Sequence, residues 1–163
     1  MIILGIDPPN AWAVVETNSD TLMAHGHWSK SHKGWKLAER IVGTVTEARA
    51  ILHAQAMIIE DQFVGWGARE GEDVKRNKAS GALVLARNAG RWVQEWERRH
   101  GTPDAVMVAP AAWRKVSLPR GTGRTRDAKK AAAMMAARAL FGVELQEDEA
   151  EAALIARAYG RTA

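Results

Sequence analysis

The segment Ala56–Glu60 constrains the fold of this chain more than any other feature of the sequence. Its residues before Glu60 form an unbroken apolar run, which is typical of a strand buried on both faces. A helix is predicted immediately before it, from Lys33 to His53, because apolar residues recur there at spacings of three and four. A helix between two strands is the usual crossover of a parallel pair. The sequence therefore predicts that Ala56–Glu60 pairs in parallel with an earlier strand.

That earlier strand belongs to an antiparallel group at the start of the chain. Turn-forming residues separate three short strand patterns, Ile2–Asp7, Ala11–Glu16 and Thr21–Trp28. Connections this short join antiparallel neighbours. A fifth strand, Ala105–Val108, is predicted to be closed by Pro110, and further helices are predicted at Asn77–Arg99, Asp127–Phe141 and Glu149–Tyr159. This order indicates an α/β fold with a five-stranded mixed sheet layered with helices, in a single domain over residues 1–163.

The composition excludes several classes of protein. No apolar run approaches the roughly 18 residues that a membrane span requires, and the first residues lack the pattern of a signal peptide. We therefore expect no membrane partner and a cytoplasmic location. Because the chain has no cysteine, any metal ion must be held by carboxylates or histidines, which favours hard ions such as Mg²⁺ or Mn²⁺.

Two acids stand at the carboxyl ends of predicted strands. Asp7 follows an apolar strand, and Glu60 follows another. If the two strands are parallel neighbours, both acids emerge at the same edge of the sheet, where open α/β sheets place their ligand sites. Taken alone, each acid is more readily interpreted as a turn-forming residue that ends a strand. Together they predict a pair of buried carboxylates that needs a cation or hydrogen-bond donors.

A third group of acids opens the last predicted helix. Asp148 and Glu151 are three residues apart and share one helix face. The same letters are also compatible with a helix cap, since an acid followed three residues later by glutamate resembles a capping box. In the functional interpretation Asp7, Glu60, Asp148 and Glu151 hold Mg²⁺, with Mn²⁺ as the substitute and two ions in each site. The sequence leaves open whether Glu149 or Glu151 is the fourth ligand.

Positive charge is concentrated in one segment. Between Arg114 and Arg138 eight basic residues accompany a single acid, Asp127, although the whole chain carries only +4. Such a segment indicates a surface that faces phosphate, with a solvated helix face as the alternative. The candidate DNA-binding residues within it are Arg114, Lys115, Arg120, Arg124, Arg126, Lys129 and Lys130.

Four stretches of the chain resemble the RuvC-type Holliday-junction resolvases of the ribonuclease H-like superfamily. Gly5-Ile6-Asp7-Pro8 resembles the family's first strand and acid, and Ile59–Phe63 resembles its second acid followed by an aromatic residue. Residues from Gly121 to Lys129 resemble its basic loop before a helix, and Asp148–Ala156 resembles its last, acidic helix. The four stretches follow the family's order and span almost the whole chain. Members commonly carry aspartate at the position of Glu151.

The resemblance implies a ribonuclease H-like sheet with helices on both faces and a nuclease that depends on magnesium. It implies a homodimer that binds four-way DNA junctions and makes paired symmetric nicks, in a bacterial or phage-infected cell. Phe63, and with it Trp66, would approach the bases at the crossover, while Arg114 and Lys129 would contact phosphates. The sequence identifies no helicase partner.

Other functions remain open at this point. A nuclease with the same fold and metal site could cut flap DNA or an RNA–DNA hybrid instead of a junction. A non-catalytic nucleic-acid-binding module would need all four acids to be caps and turn residues. A nuclease requires the acids to gather at one site, whereas a non-catalytic binding module allows them to remain apart.

Overall fold

The structure is a computed structural model that describes residues 1–8, 11–27, 53–61, 89–90, 92–94, 96–98, 100–101 and 105–160. The helix predicted at Lys33–His53 lies outside the described residues except for its last residue. Phe63 and Trp66 lie outside them as well. Of the helix predicted at Asn77–Arg99, the described residues from 89 to 98 are helical.

Five strands form one mixed sheet, as the sequence predicts. The strands are β1 (Ile2–Asp7), β2 (Ala11–Glu16), β3 (Thr21–His27), β4 (Ala56–Glu60) and β5 (Ala105–Val108). Their order across the sheet is β3-β2-β1-β4-β5. The first three pair antiparallel, whereas β4 pairs in parallel with both β1 and β5. The antiparallel group at the N-terminus and the parallel pairing of β4 with β1 are both confirmed.

Three described helices follow β5. They are α1 (Pro110–Ser117), α2 (Arg126–Phe141) and α3 (Glu147–Gly160). The prediction that Pro110 only closes β5 was incomplete, because this proline also begins α1, where its fixed φ and missing N–H are tolerated. Thr125 caps α2, and Gly142 ends it in the left-handed conformation with φ 69°. None of the helices among the described residues is long and apolar enough to cross a membrane.

The two faces of the sheet carry separate cores. Along β1, Ile3 lies in a core with the buried face of α3, whereas Leu4 and Ile6 lie in a second core with Trp96. Side chains alternate along a strand, so Asp7 points to the same face as Ile3, toward α3. The predicted layering of helices on both faces is therefore confirmed.

Gly5 determines how closely α3 approaches the sheet. A Cβ at this position would overlap the carbonyl oxygen of Ala152 and would lie 2.8 Å from the backbone nitrogen of Ala156. Only glycine leaves room for a helix backbone at this distance from a strand. Farther along α3, the buried Arg157 donates to both carboxylate oxygens of Asp20, at 2.7 and 2.9 Å. These two contacts fix the helix that carries the last acids.

Candidate active site

Three buried carboxylates meet at one edge of the sheet. Ile6 of β1 lies opposite Ile59 of β4, so the next residues, Asp7 and Glu60, leave the sheet side by side. Glu151 comes from the first turns of α3, which packs against β1 and β2. One carboxylate oxygen from each of the three residues lies within 4.8 Å of the others. Only 6% of Asp7, 3% of Glu60 and 5% of Glu151 are exposed, so solvent does little to screen their charges.

Burial and mutual repulsion make these acids difficult to ionise. Burial, followed by the charges of Glu60, Glu151 and Asp148, raises the pKa of Asp7 to about 9. Burial also raises the pKa of Glu60 and of Glu151 above their ordinary values. Three such groups can all be ionised only if a cation lies among them. A compact group of carboxylate oxygens without sulfur or imidazole suits Mg²⁺ or Mn²⁺.

Two side chains from α1 contact the acids directly. The indole Nε1 of Trp113 donates to Glu60 Oε2 at 2.6 Å, and Trp113 is almost fully buried. The Arg114 guanidinium lies between two acids, with its Nη2 3.6 Å from Glu60 Oε1 and 3.5 Å from Glu151 Oε1. Its charge lowers the pKa of both acids, although burial outweighs that effect. Arg114 therefore already offsets part of the negative charge at the site.

Asp148 lies beside the three buried acids and is the most exposed of the four predicted ligands. Its Oδ1 accepts from Lys130 Nζ at 2.9 Å, and 35% of its side chain is exposed. Lys130 also donates to Glu147 at 2.6 Å. The negative charge of Asp148 still acts on Asp7, whose pKa it helps to raise. The structure thus gathers Asp7, Glu60 and Glu151 closely and places Asp148 near them, paired with Lys130.

Glu149 caps the start of α3, a role for which the sequence suggested Asp148 and Glu151. Its Oε2 accepts from the backbone N–H of Gln146 at 3.2 Å, directly before the start of α3, and lies 3.3 Å from His25 Nδ1. The interpretation of Asp148 and Glu151 as a capping box is wrong, because α3 begins one residue before Asp148 and Glu149 occupies the third helical position. Of the two glutamates left open by the sequence, Glu151 is the one in the acid group.

We expect Glu149→Ala to lower the free energy of unfolding by about 1 kcal/mol, the usual contribution of a helix cap. Because Glu149 does not belong to the acid group, Mg²⁺ affinity should remain within about twofold of the wild-type value. Urea unfolding and calorimetric Mg²⁺ titration measure the two effects separately. A loss of Mg²⁺ binding with unchanged stability would identify Glu149 as a ligand instead.

The raised pKa of Asp7 also predicts a dependence of stability on pH. The unfolded chain releases this proton near the ordinary value of 3.8, whereas the folded protein retains it up to about 9. Between these values folding takes up a proton, so without metal the free energy of unfolding should fall as pH rises, by up to about 1.4 kcal/mol per unit. Urea unfolding in EDTA at pH 5 to 8 tests this against Asp7→Asn, which should lack that part of the slope. Equal slopes of the free energy of unfolding against pH in the two proteins would contradict this prediction.

The predicted DNA-binding residues fall into two groups. Lys115, Arg120, Arg124 and Arg126 are exposed on α1, on the loop after it and at the start of α2, and Lys129 is partly exposed. Arg114 and Lys130 instead face the acids and form ion pairs with them. The predicted contacts of Phe63 and Trp66 fall outside the described residues and stay predictions.

Trp113 is the residue of this site that the sequence did not indicate. A proline that begins a helix is a recognisable signal, so α1 itself could have been found from Pro110. The contact between Trp113 and Glu60 joins residues 53 positions apart. No local spacing shows such a contact, since it depends on how α1 packs relative to the end of β4.

Comparison with known proteins supports the fold and does not extend beyond it. No family model matches the chain, and no curated protein sequence matches it either. A structure of Thermus thermophilus RuvC in complex with a Holliday junction substrate is similar, with a TM-score of 0.59 and 20% identity over 99% of this chain and 96% of that one. A second Thermus thermophilus RuvC structure matches over the same shares of both chains at 20% identity, with a TM-score of 0.57. The chain therefore shares the fold of these RuvC structures, a five-stranded mixed sheet layered with helices, as the sequence predicted.

Proposed function

We propose that this protein is a magnesium-dependent endodeoxyribonuclease that resolves four-way DNA junctions by paired symmetric nicks. The observation that carries the proposal is the group of three buried carboxylates, Asp7, Glu60 and Glu151, at the edge of a RuvC-like sheet. The similar RuvC was solved with a Holliday junction substrate, which supports branched DNA as the substrate here. A two-fold symmetric dimer suits a junction with two-fold symmetry, so we further propose a homodimer.

The proposed ligands of the metal are Asp7, Glu60 and Glu151, with Asp148 joining from the edge of the group. When bound, Mg²⁺ supplies positive charge that polarises a phosphodiester and favours ionisation of an attacking water. Two ions in each site would fit the number of carboxylates, and Mn²⁺ would substitute for Mg²⁺. The chain's own contribution is a rigid, buried arrangement of oxygen ligands that loses little entropy when an ion enters.

The basic residues around the acids have two proposed roles. Arg114 and Lys130, which lie against the carboxylates, offset negative charge that would otherwise repel a DNA phosphate. The exposed Arg120 and Arg124 lie on the loop before α2, and the partly exposed Lys129 lies at its start, where all three can bind the DNA backbone. Phe63 and Trp66 are proposed to stack on bases at the crossover.

Neutralising Arg120, Arg124 and Lys129 together should weaken junction binding and flatten its dependence on salt. Each phosphate contact that is lost reduces the slope of log K against log salt concentration by about one unit. Binding measured by fluorescence anisotropy between about 50 and 200 mM salt tests this. The matched control is Arg138→Gln, since the exposed Arg138 pairs with Glu144 at 2.9 Å. A slope unchanged in the triple variant would mean that this loop faces only solvent.

Cleavage assays on matched substrates test the proposed function itself. Purified protein is incubated with a synthetic four-way junction, a linear duplex, a flap and an RNA–DNA hybrid, each with Mg²⁺ or with EDTA. We expect paired nicks on the junction, only with Mg²⁺. Cleavage mainly of the flap or the hybrid would keep the metal site and change the substrate. Junction binding without any cleavage would favour a non-catalytic binding module.

A further inference from the structure

One hydrogen bond in the candidate site has no role in the function proposed so far. Trp113 Nε1 donates to Glu60 Oε2 at 2.6 Å. Both partners are buried, with 1% of Trp113 and 3% of Glu60 exposed. A hydrogen bond from a neutral donor to a buried carboxylate is short and strong, because water does not compete for either partner.

The indole is held in place from several directions. Arg114 stacks its guanidinium over the Trp113 ring, 4.9 Å from the ring centre. The same helix is tied to α3 by Ser117, whose hydroxyl donates to the carbonyl oxygen of Leu154 at 3.3 Å. Next to Glu60, the N–H of Asp61 donates to the carbonyl oxygen of Val108 at 2.7 Å, which extends the pairing of β4 and β5. Donor and acceptor are therefore both fixed by the fold.

The hydrogen bond from Trp113 gives the two carboxylate oxygens of Glu60 different surroundings. Oε2 accepts from the indole, whereas Oε1 lies 3.6 Å from the Arg114 guanidinium, which also reaches the Glu151 carboxylate. An ion bound through both oxygens would share Oε2 with the indole N–H, which occupies one of that oxygen's two lone pairs and lowers its electron density toward a cation. Ca²⁺ takes six to eight oxygens and often binds a carboxylate through both of them, whereas the smaller Mg²⁺ is octahedral and binds carboxylates through few oxygens.

We propose that Trp113 is a positioning residue that disfavours binding of one ion through both oxygens of Glu60 and so makes the site prefer Mg²⁺ over Ca²⁺. The inference rests on the proposed function, because it needs Asp7, Glu60 and Glu151 to bind a divalent ion. Core packing alone would give Trp113 an effect on stability and none on the choice between two ions.

Calorimetric titration of the intact protein with Mg²⁺ and, separately, with Ca²⁺ tests the proposal. Trp113→Phe keeps an aromatic ring and removes the donor, so Mg²⁺ binding should weaken while Ca²⁺ binding is kept or tightened. We expect the ratio of the Ca²⁺ to the Mg²⁺ dissociation constant to fall at least about fivefold, a shift within the range of a single hydrogen bond to a charged group.

Trp96→Phe is the matched control. Trp96 is buried like Trp113, but it belongs to the core on the opposite face and stacks on His100 with ring centres 3.7 Å apart. Its Nε1 has no hydrogen-bond partner among the residues that the structure describes. This variant should therefore lose stability without changing the ratio of the two dissociation constants.

A measurement on the unmodified Trp113 guards against a variant that fails to fold. In proton–nitrogen NMR spectra, the indole N–H bonded to a carboxylate should resonate downfield and exchange slowly with water, and Glu60→Gln should shift it. If Trp113→Phe leaves the ratio unchanged, or Glu60→Gln shifts no indole signal, the positioning role is wrong while the proposed function stands. If the wild-type protein binds no Mg²⁺, the positioning role and the proposed function are both wrong.

Discussion

Asp7→Asn is expected to reduce junction cleavage at least about 1000-fold, a loss of roughly 4 kcal/mol in transition-state stabilisation. Asp7 is surrounded by the charges of Glu60, Glu151 and Asp148, and burial with these charges raises its pKa to about 9. A bound Mg²⁺ is what would keep such a group ionised, so removing its charge should weaken the hold on the ion. Junction binding should be kept or tightened, because a negative charge near the DNA phosphates is lost.

The same substitution should stabilise the protein in EDTA, which distinguishes a lost ligand from a damaged fold. Without metal at pH 8, the wild-type protein must take up a proton at Asp7 in order to fold, whereas an amide carries no charge and avoids that cost. Single-turnover cleavage in Mg²⁺ and urea unfolding in EDTA, both at pH 8, give the two quantities. Asp127→Asn, in the exposed first turn of α2, is the matched control and should change neither. An Asp7→Asn protein that cuts at the wild-type rate would remove Asp7 from the site.

Gly5→Ala should disable the site although every acid remains in place. The added methyl group would overlap the carbonyl oxygen of Ala152 on α3, and a backbone atom cannot move aside as a flexible side chain can. Overpacking of this kind typically lowers the free energy of unfolding by about 1 to 3 kcal/mol. Relief requires α3 to move away from β1, and Glu151 would move with it, away from Asp7. A displacement of about 1 Å at a reacting centre can cost 100-fold in rate, so we expect a cleavage loss of about that size.

Gly90→Ala is the control that separates this effect from the general loss of a glycine. Gly90 is exposed in a helical segment, and a Cβ there would meet nothing within 4 Å. Alanine should stabilise that helix by about 1 kcal/mol and leave cleavage unchanged. Urea unfolding and single-turnover cleavage are measured for both variants. If Gly5→Ala were as stable and as active as the wild type, α3 would not approach β1 as closely as the structure has it.

The sequence alone predicted the sheet and the pair of acids at its edge. Strand periodicity, short turns and the unbroken apolar run at Ala56–Ile59 are local patterns, and each limits the backbone to few arrangements. Parallel pairing of β1 with β4 then follows from the crossover connection. Once the two strands are parallel neighbours, Asp7 and Glu60 must leave the sheet together. Their proximity therefore required no knowledge of side-chain packing.

Only the tertiary structure decided what the remaining residues of the site do. Asp148, Glu149 and Glu151 stand within four positions of one another, yet one pairs with Lys130, one caps α3 and one joins the buried acids. These roles depend on the rotation and depth of α3 against the sheet, which Gly5 and long-range contacts determine. Trp113 and Arg114 reach Glu60 for the same reason. Patterns within the sequence specify which face of a helix is apolar. They do not specify the partners of its charged side chains, because those interactions become strong only when distant segments of the chain bury the charges together.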